Sequence, residues 1–110
     1  MNYTWRITKL GLRDELNLDD ILLENAVVQV QWKRIAEDTD GVSASYLGST
    51  ALDPSSVSAA SFIALNDINK EQAVAWVEGS LSTSELAKID NQLIKKVERN
   101  RLRTIRPNWG

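Results

Sequence analysis

The sequence predicts an α+β domain in which a three-stranded antiparallel meander is covered on one face by two C-terminal helices. Three observations predict it. The first half of the chain carries segments in which apolar and polar residues alternate, which is the period of a half-buried strand. An Asp-Gly turn separates two of these segments, as in a β-hairpin. The second half carries two stretches with apolar residues at helical spacing, each preceded by a capping sequence.

The three strands are predicted from their alternation. The first covers residues 3–8 and is followed by Gly11 and a polar loop, within which the apolar residues 21–23 are expected to fold against the core. The second strand covers 26–35 and the third covers 42–47. The predicted apolar face of the sheet comprises Tyr3, Trp5, Ile7, Val28, Val30, Trp32, Val42 and Tyr46.

Both helices are predicted from capping boxes at their N-termini. Asn69 is followed three residues later by Gln72, and Ser82 is followed three residues later by Glu85. The first helix is predicted to end at Gly79, because glycine is the usual residue just past a helix. The buried stripes are predicted to be Ala73, Val74, Trp76 and Val77 in the first helix, and Leu86, Ile89, Leu93 and Val97 in the second.

The chain is expected to form one domain, 1–110, because this length suits a single core and no linker divides it. Residues 48–61 are rich in Ser, Ala and Thr and are predicted to form a loop. The terminal segment 101–110 is rich in arginine and alternates again, so it forms either a basic arm or a fourth strand at the sheet edge. Arg6 and Lys9 interrupt the start of the chain, so no secretion signal is expected.

Cysteine and histidine are both absent. Their absence excludes disulfides, thiolate zinc sites, cysteine nucleophiles and histidine-based triads. Asp19-Asp20 and the acidic turn 37–40 carry oxygen ligands that a hard cation could use, but Asp38-x-Asp40-Gly41 lacks the ligand spacing and closing Glu of a calcium loop. Both are interpreted as solvated turn residues. Glu71 and Glu78 share a helix face, but no neighbour would separate their pKa values for acid–base catalysis. We therefore expect no enzyme, no metal or cofactor site and, without a long apolar run, no membrane span.

Charge is distributed unevenly along the chain. From Lys95 to the end there are six basic residues and one acidic residue, a net charge of +5, whereas the first 94 residues carry −7. Arginine and exposed aromatic residues are typical of interface hot spots, so this segment supplies the candidate interface residues. These are Arg99, Arg101, Arg103, Arg106 and Trp109. For Trp109 two alternatives are open, since it either folds back over the core or anchors a partner.

Several separate motifs are shared with a known group of proteins. They are Tyr3-Thr4-Trp5-x-Ile7, the segment 26–33, the acidic glycine loop 37–41, Phe62-Ile63, Trp76-Val77-Glu78 and the terminal Pro107-x-Trp109. In these motifs the chain resembles small uncharacterised proteins of marine phages, especially cyanophages, over nearly its whole length. The resemblance implies a phage context and no catalytic activity. No functional residues are defined for that group, so none are transferred to this sequence.

Three functions follow as hypotheses. The first is a non-enzymatic phage virion structural or accessory protein, such as a head-decoration, connector or tail component, that binds its own copies or other virion proteins. The second is a host-takeover factor that uses the acidic loops around Asp19-Asp20 and 37–40 to bind and inhibit a host protein. The third, ranked last because the rest of the chain is acidic, is nucleic-acid binding through the basic C-terminal segment. The expected location is the virion or the host cytoplasm.

Overall fold

A computed structural model describes residues 1–54, 57, 62–102 and 106–109. Within them, three antiparallel strands form one sheet in the order β1-β2-β3, and two helices follow. The elements are β1 (Asn2–Leu16), β2 (Leu22–Glu37), β3 (Ser43–Ala51), a 3-10 turn (Leu65–Asp67), α1 (Lys70–Ser80) and α2 (Thr83–Asn100). The predicted α+β class, three-stranded meander and C-terminal helices are therefore confirmed. The alternative of a fourth strand falls largely on residues 103–105 and 110, which lie outside the described residues.

The strands are longer than predicted. The prediction that the first strand ends before Gly11 is wrong. Gly11 pairs with Gln29 inside β1, and the residues predicted as a loop continue the pairing as far as Leu16 opposite Leu22. Alternation fades in this part of β1 because its side chains from Leu12 to Leu16 are mostly exposed. β3 likewise continues to Ala51, into the segment that was predicted to be a loop.

A register shift between β1 and β2 changes which valine enters the core. The pair Gly11–Gln29 is followed directly by the pair Leu12–Val27, so Val28 is an extra residue in β2, as in a β-bulge. Val27 is 7% exposed and belongs to the core cluster, whereas Val28 is only partly buried. The prediction that Val28 rather than Val27 faces the core is therefore wrong.

The helices cover one face of the sheet, which we call the inner face. α1 packs against β1, and α2 packs against β3 and β2. Both capping boxes are confirmed: the side chain of Asn69 accepts the N–H of Gln72, that of Ser82 accepts the N–H of Glu85, and both reciprocal bonds are present. α1 does not end at Gly79, as predicted, but continues through it. The core cluster comprises Val27, Val30, Trp32, Ala36, Val77, Ile89, Leu93 and Val97.

Trp32 lies at the centre of the inner face. Its indole lies across Gly48, its partner in β3, where an added Cβ atom would stand 2.2 Å from the ring. The ring of Trp5 meets it edge-on at 5.2 Å between centroids, and the ring of Tyr46 stacks on it at 5.9 Å. The predicted burial is confirmed for Trp32, which is 3% exposed, and holds in part for Trp5 and Trp76, which are half-buried.

Arg34 also lies on the inner face, where the alternation of β2 places a charged residue among apolar ones. Its Nε donates to Asp90 Oδ1 of α2 at 3.0 Å, and its Nη2 donates to Oδ2 at 3.3 Å. The guanidinium also lies 4.5 Å from the ring centroid of Trp5 and 5.0 Å from that of Tyr3. The carboxylate and the two rings compensate the charge of a guanidinium in a residue that is only 9% exposed. The bidentate pair with Asp90 also connects α2 to the sheet.

Candidate interaction surfaces

The sheet gives the molecule two well separated ends. The molecule measures 73 × 25 × 21 Å. β2, with 16 residues, accounts for about 50 Å of that length at the usual rise per residue. The turn between β1 and β2 lies at one end, which we call the tip. The turn between β2 and β3 lies at the other end, which we call the base. The last residue of α2, Asn100, also lies at the base, since its Nδ2 donates to Ser43 O at 2.9 Å.

Asn17 holds the turn at the tip. Its side chain Oδ1 accepts the N–H groups of Asp19 and Ile21, both at 2.9 Å, and its own N–H donates to Ile21 O at 3.0 Å. Its Nδ2 donates to Val57 O at 3.1 Å, which attaches the turn to the segment after β3. Asp20 takes a positive φ of 57°, which aspartate tolerates better than most residues. The conformation of the tip is therefore held by hydrogen bonds within the chain.

Five aliphatic side chains are exposed in this turn and in the parts of β1 and β2 that lead to it. They are Leu12 (40%), Leu16 (57%), Leu18 (80%), Ile21 (43%) and Leu22 (51%). Isolated exposed leucines are common on soluble proteins, but a group of them marks an interaction surface. The expectation that residues 21–23 fold against the core is confirmed only for Leu23, which is 2% exposed. An aliphatic group inside an otherwise polar turn was the sequence signal for this surface.

The tip also carries an excess of negative charge. Between residues 13 and 25 there are five acidic residues and one basic residue, Arg13, which pairs with Glu15. Three exposed carboxylates have no partner among the described residues: Asp19, Asp20 and Glu24. The tip is therefore both aliphatic and acidic.

The turn at the base has the same geometry as the tip, with an aspartate where the tip has Asn17. Asp38 Oδ1 accepts the N–H groups of Asp40 and Val42, both at 2.9 Å, and Asp38 N–H donates to Val42 O at 3.0 Å. Gly41 supplies the positive φ, at 83°. The predicted Asp-Gly hairpin turn is therefore confirmed.

Asp38 also forms an ion pair with Arg101, which follows α2. Burial raises the pKa of Asp38, but the hydrogen bonds from Val42, Arg101 and Asp40 and the positive charge of Arg101 together lower it below its ordinary value. One of the predicted interface arginines therefore already has a partner within its own chain.

α2 covers part of the free edge of β3. Val42 O accepts the N–H of Asp38, so this pair is hydrogen-bonded across the two strands. Hydrogen-bonded pairs alternate along an antiparallel ladder, so the even-numbered residues of β3 bond to β2. The carbonyls of the odd-numbered residues point away from β2, toward the free edge. Of these, Ser43 O accepts from Asn100, and Ser45 O accepts from Lys96 Nζ at 3.3 Å. A partner at the base therefore meets side chains of α2 rather than an open strand edge.

A groove of about 540 Å³ opens at the base beside α2. Its lining comprises Lys33, Ile35, Ser43, Ala44, Ser45, Lys96, Arg99 and Asn100. Three of these side chains are cationic and none is acidic, while Ile35 and Ala44 supply apolar surface. The groove therefore suits a partner that presents acidic and aliphatic groups together.

The structure brings only some of the predicted interface residues together. Arg99 lines the groove, and Arg101 is paired with Asp38. Arg103 lies outside the described residues. Arg106 and Trp109 are exposed, and at 87% exposure Trp109 does not cover the core, so that alternative is wrong. Lys33 was not among the candidates, because the sequence does not reveal that β2 carries it to the end of α2.

In the described part of the chain, no three acidic side chains stand close enough together to hold a metal ion. Neither of the described helices has the length and apolar character needed to cross a membrane.

These features define a small two-layer α+β protein with an acidic, aliphatic tip and, at its base, a groove lined by cations beside an acidic turn. Residues 1–108 match the model of a family described as a domain of unknown function, DUF7936, and the chain belongs to this family. No curated protein and no solved structure matches the chain. The resemblance to marine-phage proteins stays a prediction.

Proposed function

We propose that this protein is a non-enzymatic virion structural or accessory protein that acts by protein–protein assembly. The observation that carries the proposal is the tip, where five aliphatic side chains are exposed on the turn held by Asn17 and on the adjoining parts of β1 and β2. Burying such side chains against a partner is favourable by about 25 cal/mol for each Å² of apolar surface removed from water. The phage setting is supported by the motifs that resemble marine-phage proteins.

The shape of the molecule supports the same function. A chain that is 73 Å long and 25 Å wide can contact two different neighbours, one at each end. Head-decoration, connector and tail proteins all need more than one contact, because each copy must join a larger assembly.

Mass spectrometry of purified particles from a phage that carries this gene tests the virion assignment. We expect the protein in the particles at a fixed copy number relative to the major capsid protein. Its absence from particles, together with abundance in infected cells, would contradict the virion assignment.

The role of the tip is tested by Leu18→Ser, which removes the most exposed aliphatic side chain of this surface. We expect incorporation into particles to fall about tenfold, because a central apolar anchor contributes at least 1–2 kcal/mol to a typical interface. Leu47→Ser is the matched control, since Leu47 is 69% exposed but lies in β3 away from the tip. Equal incorporation of both variants would exclude the tip as the assembly surface.

Binding to a host protein is the second candidate, and it is favoured by the unpaired carboxylates of the tip. Of the two acidic loops, the base loop keeps Glu37 and Asp40 exposed but has Asp38 engaged by Arg101. The tip has three carboxylates without a partner among the described residues and is the better surface. A host protein retained by the wild-type chain and lost with Asp19→Lys/Glu24→Lys would support this function if the chain is absent from particles. Retention by both forms would contradict it.

A further inference from the structure

The tip of this molecule complements the groove at its base. The tip presents Asp19, Asp20 and Glu24 beside exposed leucines, whereas the groove at the base presents three cations beside two apolar side chains. Neither Lys33 nor Arg99 forms an ion pair with the described residues of its own chain. The cations of the groove can therefore pair with the carboxylates of the tip, while the base turn beside the groove is itself acidic through Glu37 and Asp40.

One copy cannot use this complementarity on itself. The tip and the base lie at opposite ends of β2, which separates them by about the length of a 16-residue strand. Both turns are held by backbone N–H groups that donate to the side-chain oxygens of Asn17 and Asp38, and β2 runs unbroken between them. A contact between the two surfaces therefore requires a second molecule.

From this arrangement we propose that the tip of one copy docks in the basic groove at the base of the next copy. The proposal rests on the assembly function above and names its partner as a second copy of this chain. The carboxylates of Asp19 and Glu24 face Lys33 and Arg99, while Leu18 packs on the apolar part of the groove beside Ile35. Charge complementarity selects the orientation, and the aliphatic contact adds affinity.

The contact joins two different surfaces, so it is heterologous. A heterologous contact leaves a free tip at one end of each pair and a free groove at the other, so it produces a ring or an open chain rather than a closed dimer. Lateral strand pairing at the groove is blocked, because α2 occupies the carbonyls of Ser43 and Ser45. Assembly at this site therefore proceeds through side chains along the long axis.

Sedimentation velocity of the full chain over a range of concentrations tests the proposal. We expect species larger than a monomer that grow with protein concentration and weaken as salt rises, because exposed charges are screened. Lys33→Glu/Arg99→Glu reverses the groove, and Asp19→Lys/Glu24→Lys reverses the tip. Asp20 is kept, because its φ of 57° suits few side chains. Each variant alone should raise the dissociation constant about tenfold or more.

An equimolar mixture of the two variants distinguishes a head-to-tail contact from other causes of dissociation. Each junction in the mixture again joins opposite charges, so we expect association to return. Lys70→Glu/Lys88→Glu is the matched control, because it changes the net charge by the same amount on exposed helix positions and should keep wild-type association. Circular dichroism of every variant establishes that the fold is kept.

Three outcomes would overturn the contact: a wild-type chain that stays monomeric, association that survives both reversals, or a mixture that stays dissociated. A monomeric chain that is still found in purified particles would overturn only this contact and leave the assembly function in place. Head-to-tail association of a chain that is absent from particles would support the contact and contradict the virion role. Association that appears only when DNA is added would overturn the contact in favour of nucleic-acid binding.

Discussion

Gly48 determines how the core packs around Trp32, because it has no Cβ atom where the indole lies. Trp32 faces it across the sheet and needs the space that a Cβ atom would occupy. The indole can therefore lie flat over β3, with Trp5 at its edge and Tyr46 stacked against it. Glycine in a strand usually weakens the strand, but here it allows a large aromatic ring to be buried.

Gly48→Ala is expected to destabilise the fold by about 1–3 kcal/mol, because the new methyl group overlaps a buried ring that has little room to move. Gly79→Ala is the control, since nothing lies within 4 Å of its added Cβ and alanine favours the helix, so a gain of about 0.5–1 kcal/mol is expected there. Urea unfolding of the two variants measures both effects. A neutral Gly48→Ala would show that Trp32 does not depend on this contact.

The two hairpin turns share one hydrogen-bonding pattern but differ in the charge of the side chain that accepts the bonds. In each, a side-chain oxygen at the first position accepts two N–H groups, and the fourth residue has positive φ. The tip uses the neutral Asn17, whereas the base uses Asp38, whose charge is paired with Arg101. The base turn therefore depends on pH in a way that the tip turn does not.

Asp38 contributes stability that is lost in acid, because its pKa is lowered in the folded state. The contribution is fully present above the unfolded pKa of about 3.9 and disappears as the pH falls through the lower folded value. Asp38→Asn should keep the turn, as Asn17 does at the tip, and show a smaller loss of stability on acidification. Urea unfolding between pH 2 and pH 6, a range of about two units either side of that value, measures the difference. Arg101→Met removes one cause of the lowered pKa of Asp38, so its unfolding free energy should depend less on pH than that of wild type. If Asp38→Asn lost stability with falling pH as steeply as wild type does, this role for Asp38 would be excluded.

At the scale of the whole molecule, the shape is unusually extended. The radius of gyration is 19.2 Å, against about 13 Å for a compact domain of this length. The helices cover only part of the sheet, and the far part of the β1–β2 hairpin projects beyond them. The buried pair Arg34–Asp90 therefore acts together with the buried side chains of Ile89, Leu93 and Val97 to hold α2 against the sheet.

Asp90→Ala is expected to destabilise the molecule by about 2–3 kcal/mol, because it leaves the buried guanidinium of Arg34 without its carboxylate. The figure is below that for a fully buried pair, since the two side chains are 11% and 23% exposed. Arg34→Met/Asp90→Ala should recover most of the loss, because no unpaired charge remains. Thermal unfolding of the single and double variants measures the coupling, and additive effects would contradict it.

Local chemistry explains which parts of this structure could be predicted from the sequence. Ser82 and Asn69 cap their helices through residues three positions away, so a short window of sequence contains the whole interaction. The Asp-Gly turn at Gly41 is equally local. Alternation located all three strands but misjudged β1 beyond Gly11, because the pattern depends on one buried face and the side chains of β1 from Leu12 to Leu16 are mostly exposed.

The candidate site was less predictable than the fold. The basic character of the C-terminal segment was visible, and Arg99 does line the groove. Lys33 and the exposed leucines of the tip were missed, since their importance depends on which residues of distant elements lie beside them. Trp109 stays an interface candidate, now without the alternative of covering the core.

The sequence by itself determined the α+β class, the helices with their caps, the base turn and the uneven charge along the chain, because each is encoded in neighbouring residues. Only the tertiary structure decided that Val27 replaces Val28 in the core and that Arg34 is buried against Asp90. It also decided that an acidic tip and a basic groove lie at opposite ends of one long hairpin. The physical reason is that strand register and helix packing set these positions, and both depend on contacts between residues far apart in the chain.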